Sequence, residues 1–172
     1  MPWGDVILAL VTAQRLGELV LSRINTQRLL AAGAVEVAPG HYPFMVALHA
    51  AWLAGLWWLA AGRPVSLALL ATYVVLQVLR LWVLATLGSR WTTRIIVLPR
   101  APLVKNGPYR FLSHPNYVVV VYEMALLPLV FGLVWYAALF SMLNAVVLAV
   151  RIRAENAALG RVAAPVHSEG VR

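Results

Sequence analysis

The chain has 172 residues, of which 62% are hydrophobic and 12% charged, with a net charge of +8 and no cysteine. A mean hydropathy of +0.81 excludes an ordinary soluble domain, which could not cover that much apolar surface. The absence of thiols excludes disulfides, thiolate nucleophiles and cysteine-based metal sites, and His41, His49, His114 and His167 show no metal-ligand spacing, so no metal is expected.

A bilayer core needs about 20 residues of helix, and five apolar stretches approach that length. The first covers residues 3–22 and is interrupted by Arg15 and Glu18. It lacks a basic start, so it reads as a retained helix rather than a signal peptide. Arg15 and Glu18, three residues apart, are placed to pair with each other. Ionisable groups inside a membrane are also functional candidates, here for lining a substrate pocket. The second stretch covers residues 43–61, with His49 read as a packed, hydrogen-bonded helix residue. The third covers residues 65–87 and holds Gln77 and Arg80 near its inner end. Arg80 is a snorkelling residue or a third pocket-lining one.

Pro99, Pro102, Pro108 and Pro115 then prevent a continuous helix between Arg90 and Tyr117. Residues 91–98 are rich in β-branched side chains and predict an extended segment. Asn106-Gly107-Pro108 is a turn signal. Residues 103–117 concentrate Lys105, Tyr109, Arg110, His114, Asn116 and Tyr117 in one polar segment. It ends where a helix should begin, with Ser113 or His114 at the cap position and Pro115 in the first turn. A short fourth apolar stretch, residues 117–131, and a fifth, residues 133–150, form a helical hairpin. The hairpin is followed by Arg151 and Glu155, so both of its ends carry polar clusters that return to one membrane face. No transmembrane β pattern is present, and the predicted fold is an all-α integral membrane protein of about five helices. The organisation reads as a three-helix region (1–88), a loop-plus-hairpin region carrying the chemistry (89–160) and a flexible tail (161–172).

Basic residues are distributed unevenly. Eleven of fourteen fall in the segments after the first, third and fifth stretches, and only Arg63 falls in the opposite loops. The positive-inside rule therefore predicts an outside N-terminus, with the C-terminus and both polar clusters cytoplasmic. Basic residues that flank spans face anionic headgroups, which argues against nucleic acid as the partner.

Gly107-Pro108-Tyr109-Arg110, then His114-Pro115-Asn116-Tyr117, then an apolar hairpin and Arg151 with Glu155, resemble the isoprenylcysteine carboxyl methyltransferase family. The N-terminal half, through residues 14–19 and 41–45, resembles a short bacterial branch that O-methylates alkylated phenols or pyrones. The resemblance implies S-adenosylmethionine (SAM) at the cytosolic end of the hairpin and a lipophilic acceptor arriving from the bilayer. By motif, His114, Pro115, Asn116 and Tyr117 would line the cofactor site, Arg151 and Glu155 would close it, and Lys105 and Tyr109 belong to the same set. Many relatives carry Arg where this chain has Ser113, and paired Glu where it has Glu155-Asn156.

The residue chemistry is compatible with that implication. A carboxylate such as Glu155 would hold an ammonium or ribose hydroxyls, and a Tyr face would attract a sulfonium. A phenolic acceptor, with a pKa near 10, needs deprotonation or a nearby cation. Arg151 is the candidate cation and Glu123 the candidate base. An Arg151–Glu155 ion pair on one helix face is the plain structural alternative. Carboxyl methylation of a prenylated cysteine and N-methylation of a lipid amine are alternative reactions. A non-enzymatic lipid-binding or transporter subunit is the alternative of another class.

Overall fold

The computed structural model describes residues 3–99 and 101–163, with side chains to residue 158. Five helices follow one another: α1 (Trp3–Ala31), α2 (Tyr42–Leu59), α3 (Leu67–Leu87), α4 (Pro115–Val130) and α5 (Val134–Ala163). Three segments, Pro39–Leu59, Leu67–Arg90 and Val134–Ala158, have the length and hydropathy of membrane spans, and α4 is a shorter apolar helix. α1 is long enough but carries Asp5, Arg15, Glu18, Arg23 and Arg28. The structure is the mainly helical membrane fold that the hydropathy predicts. The tail expected from residue 161 lies, beyond Ala163, outside the described residues.

α4 runs between α3 and α5, α2 lies against α5, and α1 against α2. The apolar core sits toward the end of the bundle where the hairpin turns. There Leu8 of α1, Trp52 and Leu56 of α2, Tyr73 of α3, and Leu127 and Phe131 at the end of α4 are nearly inaccessible. The hairpin turn is closed by Gly132, whose φ of 70° few other residues adopt without strain. Its N–H donates to the Leu129 carbonyl, and the Leu133 N–H reaches back to that of Pro128 at 3.0 Å. These two bonds satisfy carbonyls that a helix end leaves unpaired.

The opposite end of the bundle is built from the two long connections. The β-branched stretch after α3 is extended as predicted, but only briefly, over β2 (Ile96–Val97). It pairs antiparallel with β1 (Val35–Glu36), with Val35 opposite Val97. Arg94 fixes this ribbon by reaching Glu36 at 2.7 Å and by lying 4.2 Å over the Tyr42 ring. The loop that follows α1 and the loop that follows α3 are thus tied together, at the end where α4 begins and α5 finishes.

Candidate active site

α4 starts where the polar segment predicts. His114 is the N-cap residue and Pro115 opens the first turn, where its missing N–H costs nothing. Proline at that position fixes the register, so Asn116 and Tyr117 project from the first turn of a helix packed against α5. Just upstream, the turn Gly107–Arg110 docks on α3. Gly107 has a φ of 55°, and a Cβ there would lie 2.5 Å from Oγ1 of Thr86, so the turn needs glycine on both counts.

Tyr117 is the hub of the site. Its hydroxyl accepts from Nε of Arg151 at 3.0 Å and donates to Oε2 of Glu155. Its ring stacks on His114 with centroids 5.3 Å apart, and Nδ1 of His114 stands 3.9 Å from Oε1 of Glu155. Arg151 and Glu155 are therefore joined through the Tyr117 hydroxyl rather than by a direct i,i+4 pair. Arg151 is buried and also points Nη1 at Sδ of Met45, 2.8 Å away on α2. Tyr109 faces the same space from the preceding turn. Burial, and then the negative charge of Glu155, push its phenol up to about 12, so it stays a neutral hydroxyl at any physiological pH.

Two cavities flank this hub. The outer one, about 670 Å³, is lined by Lys105, Tyr109, His114, Asn116, Tyr117, Arg151 and Glu155, together with Arg90, Arg94 and loop residues. The inner one, about 240 Å³, lies deeper between the helices and takes in Arg15, Glu18 and Arg80, with Met45, His49 and Asn144. Trp91, Thr92, Asn116, Tyr117 and Arg151 line both. Leu16, Leu19 and Ala50 line the inner cavity although they are exposed on the surface of α1 and α2. That cavity therefore opens sideways, between the two helices, where lipid would lie. Oδ1 of Asn116, on the shared wall, is buried without a hydrogen-bond partner among the described residues, a cost that a bound ligand would relieve.

The sequence-derived site residues fall into three groups. Lys105, Tyr109, His114, Asn116, Tyr117, Arg151 and Glu155 are brought together around the outer cavity, and Pro115 serves them by starting α4. Arg15, Glu18 and Arg80 are brought together on the inner one. Glu123 lines neither cavity. It is buried at 2% exposure in a network that α1, α3 and α4 build. Arg15 reaches it at 2.8 Å and Arg80 at 2.7 Å, while Nε2 of Gln77 donates to its other oxygen at 2.8 Å. Arg80 also grips Glu18 with Nε and Nη2, both at 2.5 Å, and Arg15 reaches Glu18 at 3.0 Å. Arg80 does not snorkel. It is 4% exposed, because two carboxylates inside the bundle satisfy it better than the interface would.

Several residues of the site carry no local sequence signal. Trp91 and Thr92 reach both cavities only because α1 holds their loop. Asn25 donates to the carbonyls of Gly88 and Trp91 at 3.1 and 2.8 Å, and the Ser22 hydroxyl accepts from the Thr93 N–H at 2.8 Å. Asn144 did have a signal, as a lone amide within the apolar span α5.

Residues 68–161 match the family model described as the isoprenylcysteine carboxyl methyltransferase (ICMT) family. The chain is also similar to a Bacillus subtilis (strain 168) protein named YpbQ and described as uncharacterized. The two are 36% identical over 167 residues, covering 90% of this chain and 95% of the relative. No solved structure matches.

Proposed function

The chain belongs to the isoprenylcysteine carboxyl methyltransferase family, and from that membership we propose that it moves a methyl group from SAM to an oxygen of a lipophilic acceptor, a hydroxyl on an alkylated phenol or pyrone ring. Membership itself makes it an integral membrane methyltransferase. The observation that carries the finer reading is the pair of cavities with a common wall at Asn116, Tyr117 and Arg151. A two-substrate transfer needs the reacting atoms held together, and two cavities with a common wall can bring them to one place.

The residues around the outer cavity fit SAM. Glu155 is a carboxylate for the ammonium, and Lys105 and Arg90 are cations for the carboxylate end. Trp91, Tyr109 and Tyr117 offer aromatic faces to the adenine or the sulfonium. Oδ1 of Asn116 is an acceptor without a partner among the described residues. When bound, SAM supplies an electrophilic methyl group. The chain's own contribution is alignment, exclusion of water and charge. The guanidinium of Arg151, oriented by the Tyr117 hydroxyl, stands on the shared wall to stabilise negative charge on the acceptor oxygen. The inner cavity, lined mostly by apolar side chains, takes the ring and the start of its chain through the gap between α1 and α2. Ser113 stands where many relatives carry Arg and lines only the outer cavity, so it offers the acceptor no cationic anchor.

The same reading places the N-terminus outside and both cavities' polar ends in the cytoplasm of a bacterial cell, where SAM is available. The acceptor is tested with purified protein, methyl-labelled SAM and three compounds in competition: an alkylresorcinol, a farnesylated cysteine analogue and phosphatidylethanolamine. Label on the alkylresorcinol is the expected result. Label on the farnesylated compound or the amine alone contradicts the hydroxyl assignment.

A further inference from the structure

A phenol needs a proton acceptor as it is methylated, and the structure leaves few groups to serve. Glu123 lies off both cavities, and both of its oxygens are held by Arg15, Arg80 and Gln77. Glu18 lines the inner cavity, but both of its oxygens are held by Gln14, Arg15 and Arg80. The Tyr117 hydroxyl is committed to Arg151 and Glu155, and Glu155 lines only the outer cavity.

His49 differs from all of these. It lies on α2 and lines the inner cavity. Its Nδ1 lies 2.9 Å from the Met45 carbonyl oxygen. A carbonyl only accepts, so Nδ1 carries the proton and the neutral ring presents a lone pair on Nε2. That Nε2 has no hydrogen-bond partner among the described residues. Nor is it sealed off, unlike both ring nitrogens of His41, which are buried and have no partner among the described residues. Its position follows from helix geometry. Met45, four residues back and on the same face, meets Arg151 on the shared wall. The backbone of His49 is therefore about 6 Å further along the helix, and its ring, held back against the Met45 carbonyl, lines the acceptor chamber. The charged groups lining that chamber come from every neighbouring helix: Arg15 and Glu18 from α1, Arg80 from α3 and Arg151 from α5, with the Tyr117 phenol from α4.

We propose that His49 is the general base of the reaction, taking the acceptor's hydroxyl proton on Nε2. The inference rests on the hydroxyl acceptor argued above. The balance is simple. The O–H bond breaks with its proton passing to Nε2, and the oxygen's electron pair forms the new bond to the methyl carbon. The carbon–sulfur bond breaks with its pair remaining on sulfur, which becomes a neutral thioether. The imidazolium then returns its proton to water. The backbone bond to Met45 sets the tautomer, much as a carboxylate does in other histidine bases.

The test compares the parent with His49→Gln on two long-chain acceptors, an alkylresorcinol and a nitro-substituted phenol already ionised at the assay pH. An ionised acceptor needs no base. On the alkylresorcinol, kcat/KM should fall about 100-fold, and the fall on the nitrophenol should be at least about tenfold smaller. Equal losses on both, or no loss on either, overturn the assignment. A second readout needs no turnover: ¹⁵N spectra of histidine-labelled parent in detergent, with the His49 signals identified by their loss in His49→Gln. They should show the Nδ1–H tautomer, with an Nε2 signal that moves when the alkylresorcinol binds without SAM. An unmoved signal overturns the assignment. A parent that methylates neither phenol overturns the hydroxyl reading instead, and the Nε2 signal still decides the case of His49.

Discussion

Tyr117 shows how one side chain can organise a site. Its hydroxyl can donate once, and it spends that donation on Glu155 while accepting from Arg151. The carboxylate is thereby turned toward the outer cavity and the guanidinium toward the shared wall. Among the described residues, Oε1 of Glu155 has only a distant neighbour, His114 at 3.9 Å, and this is the oxygen that would meet a cation. Glu155→Gln keeps the shape and removes the charge. Losing a charge-assisted contact costs about 1.5–3 kcal/mol, so SAM affinity measured by calorimetry should fall roughly ten- to a hundredfold. An unchanged affinity would remove Glu155 from the cofactor site. That Arg151 and Glu155 share one face of α5 was legible from their spacing alone, but the tyrosine that joins them in place of a direct ion pair was not. It comes from the first turn of α4, 34 residues before Arg151, and only the packing of α4 on α5 brings it there.

Among the elements, α1 departs most from what hydropathy alone predicts. Its charges read as interruptions of a span, with Arg15 and Glu18 pairing locally, and that local pair does form. The larger fact is that α3 and α4 complete it. Two arginines and two glutamates, joined by Gln14 and Gln77, make a neutral network across three helices. No local pattern reveals this, because Glu18 and Arg80 are 62 residues apart. The hairpin α4–α5 and the apolar helices α2 and α3 were legible because length and hydropathy are local properties. The ribbon β1–β2 was legible only in its β2 half, which lies in the β-branched stretch 91–98, and its pairing with β1 was not, with two residues in each strand. Breaking a buried ion pair from one side leaves an uncompensated charge and costs about 3–5 kcal/mol. Arg80→Met, which strips Glu18 and Glu123 of a shared partner, should therefore lower the thermal unfolding temperature in detergent clearly. Arg80→Lys should lower it too, since one ammonium cannot reproduce the two-pronged grip on Glu18. Variants as stable as the parent would mean that the network carries no net stabilisation.

At the scale of the whole molecule, the connections after α1 and α3, the start of α4 and the end of α5 gather at one end, and the described basic residues of the loops gather with them, except Arg63 in the loop between α2 and α3. The absence of cysteine permits a direct test of orientation. A single cysteine at Gly40 should react with a membrane-impermeant maleimide only in inverted vesicles, and one at Arg63 only in intact cells. The reverse pattern would invert the proposed topology and put the cofactor chamber on the wrong side of the membrane.

The central claim is a division of labour, with SAM in the outer chamber and a lipophilic acceptor in the inner one. Ala50 separates the two most cleanly. It lines only the inner chamber and is exposed on the lipid-facing side of α2, so a large side chain there narrows the acceptor's path without displacing a packed neighbour. The decisive measurement is Ala50→Trp against the parent, with SAM affinity and methyl transfer to an alkylresorcinol determined on the same preparation. The two-chamber account predicts transfer reduced about tenfold or more with SAM affinity unchanged. Transfer at the parent's rate, or a loss of SAM affinity as large as the loss of transfer, would contradict it.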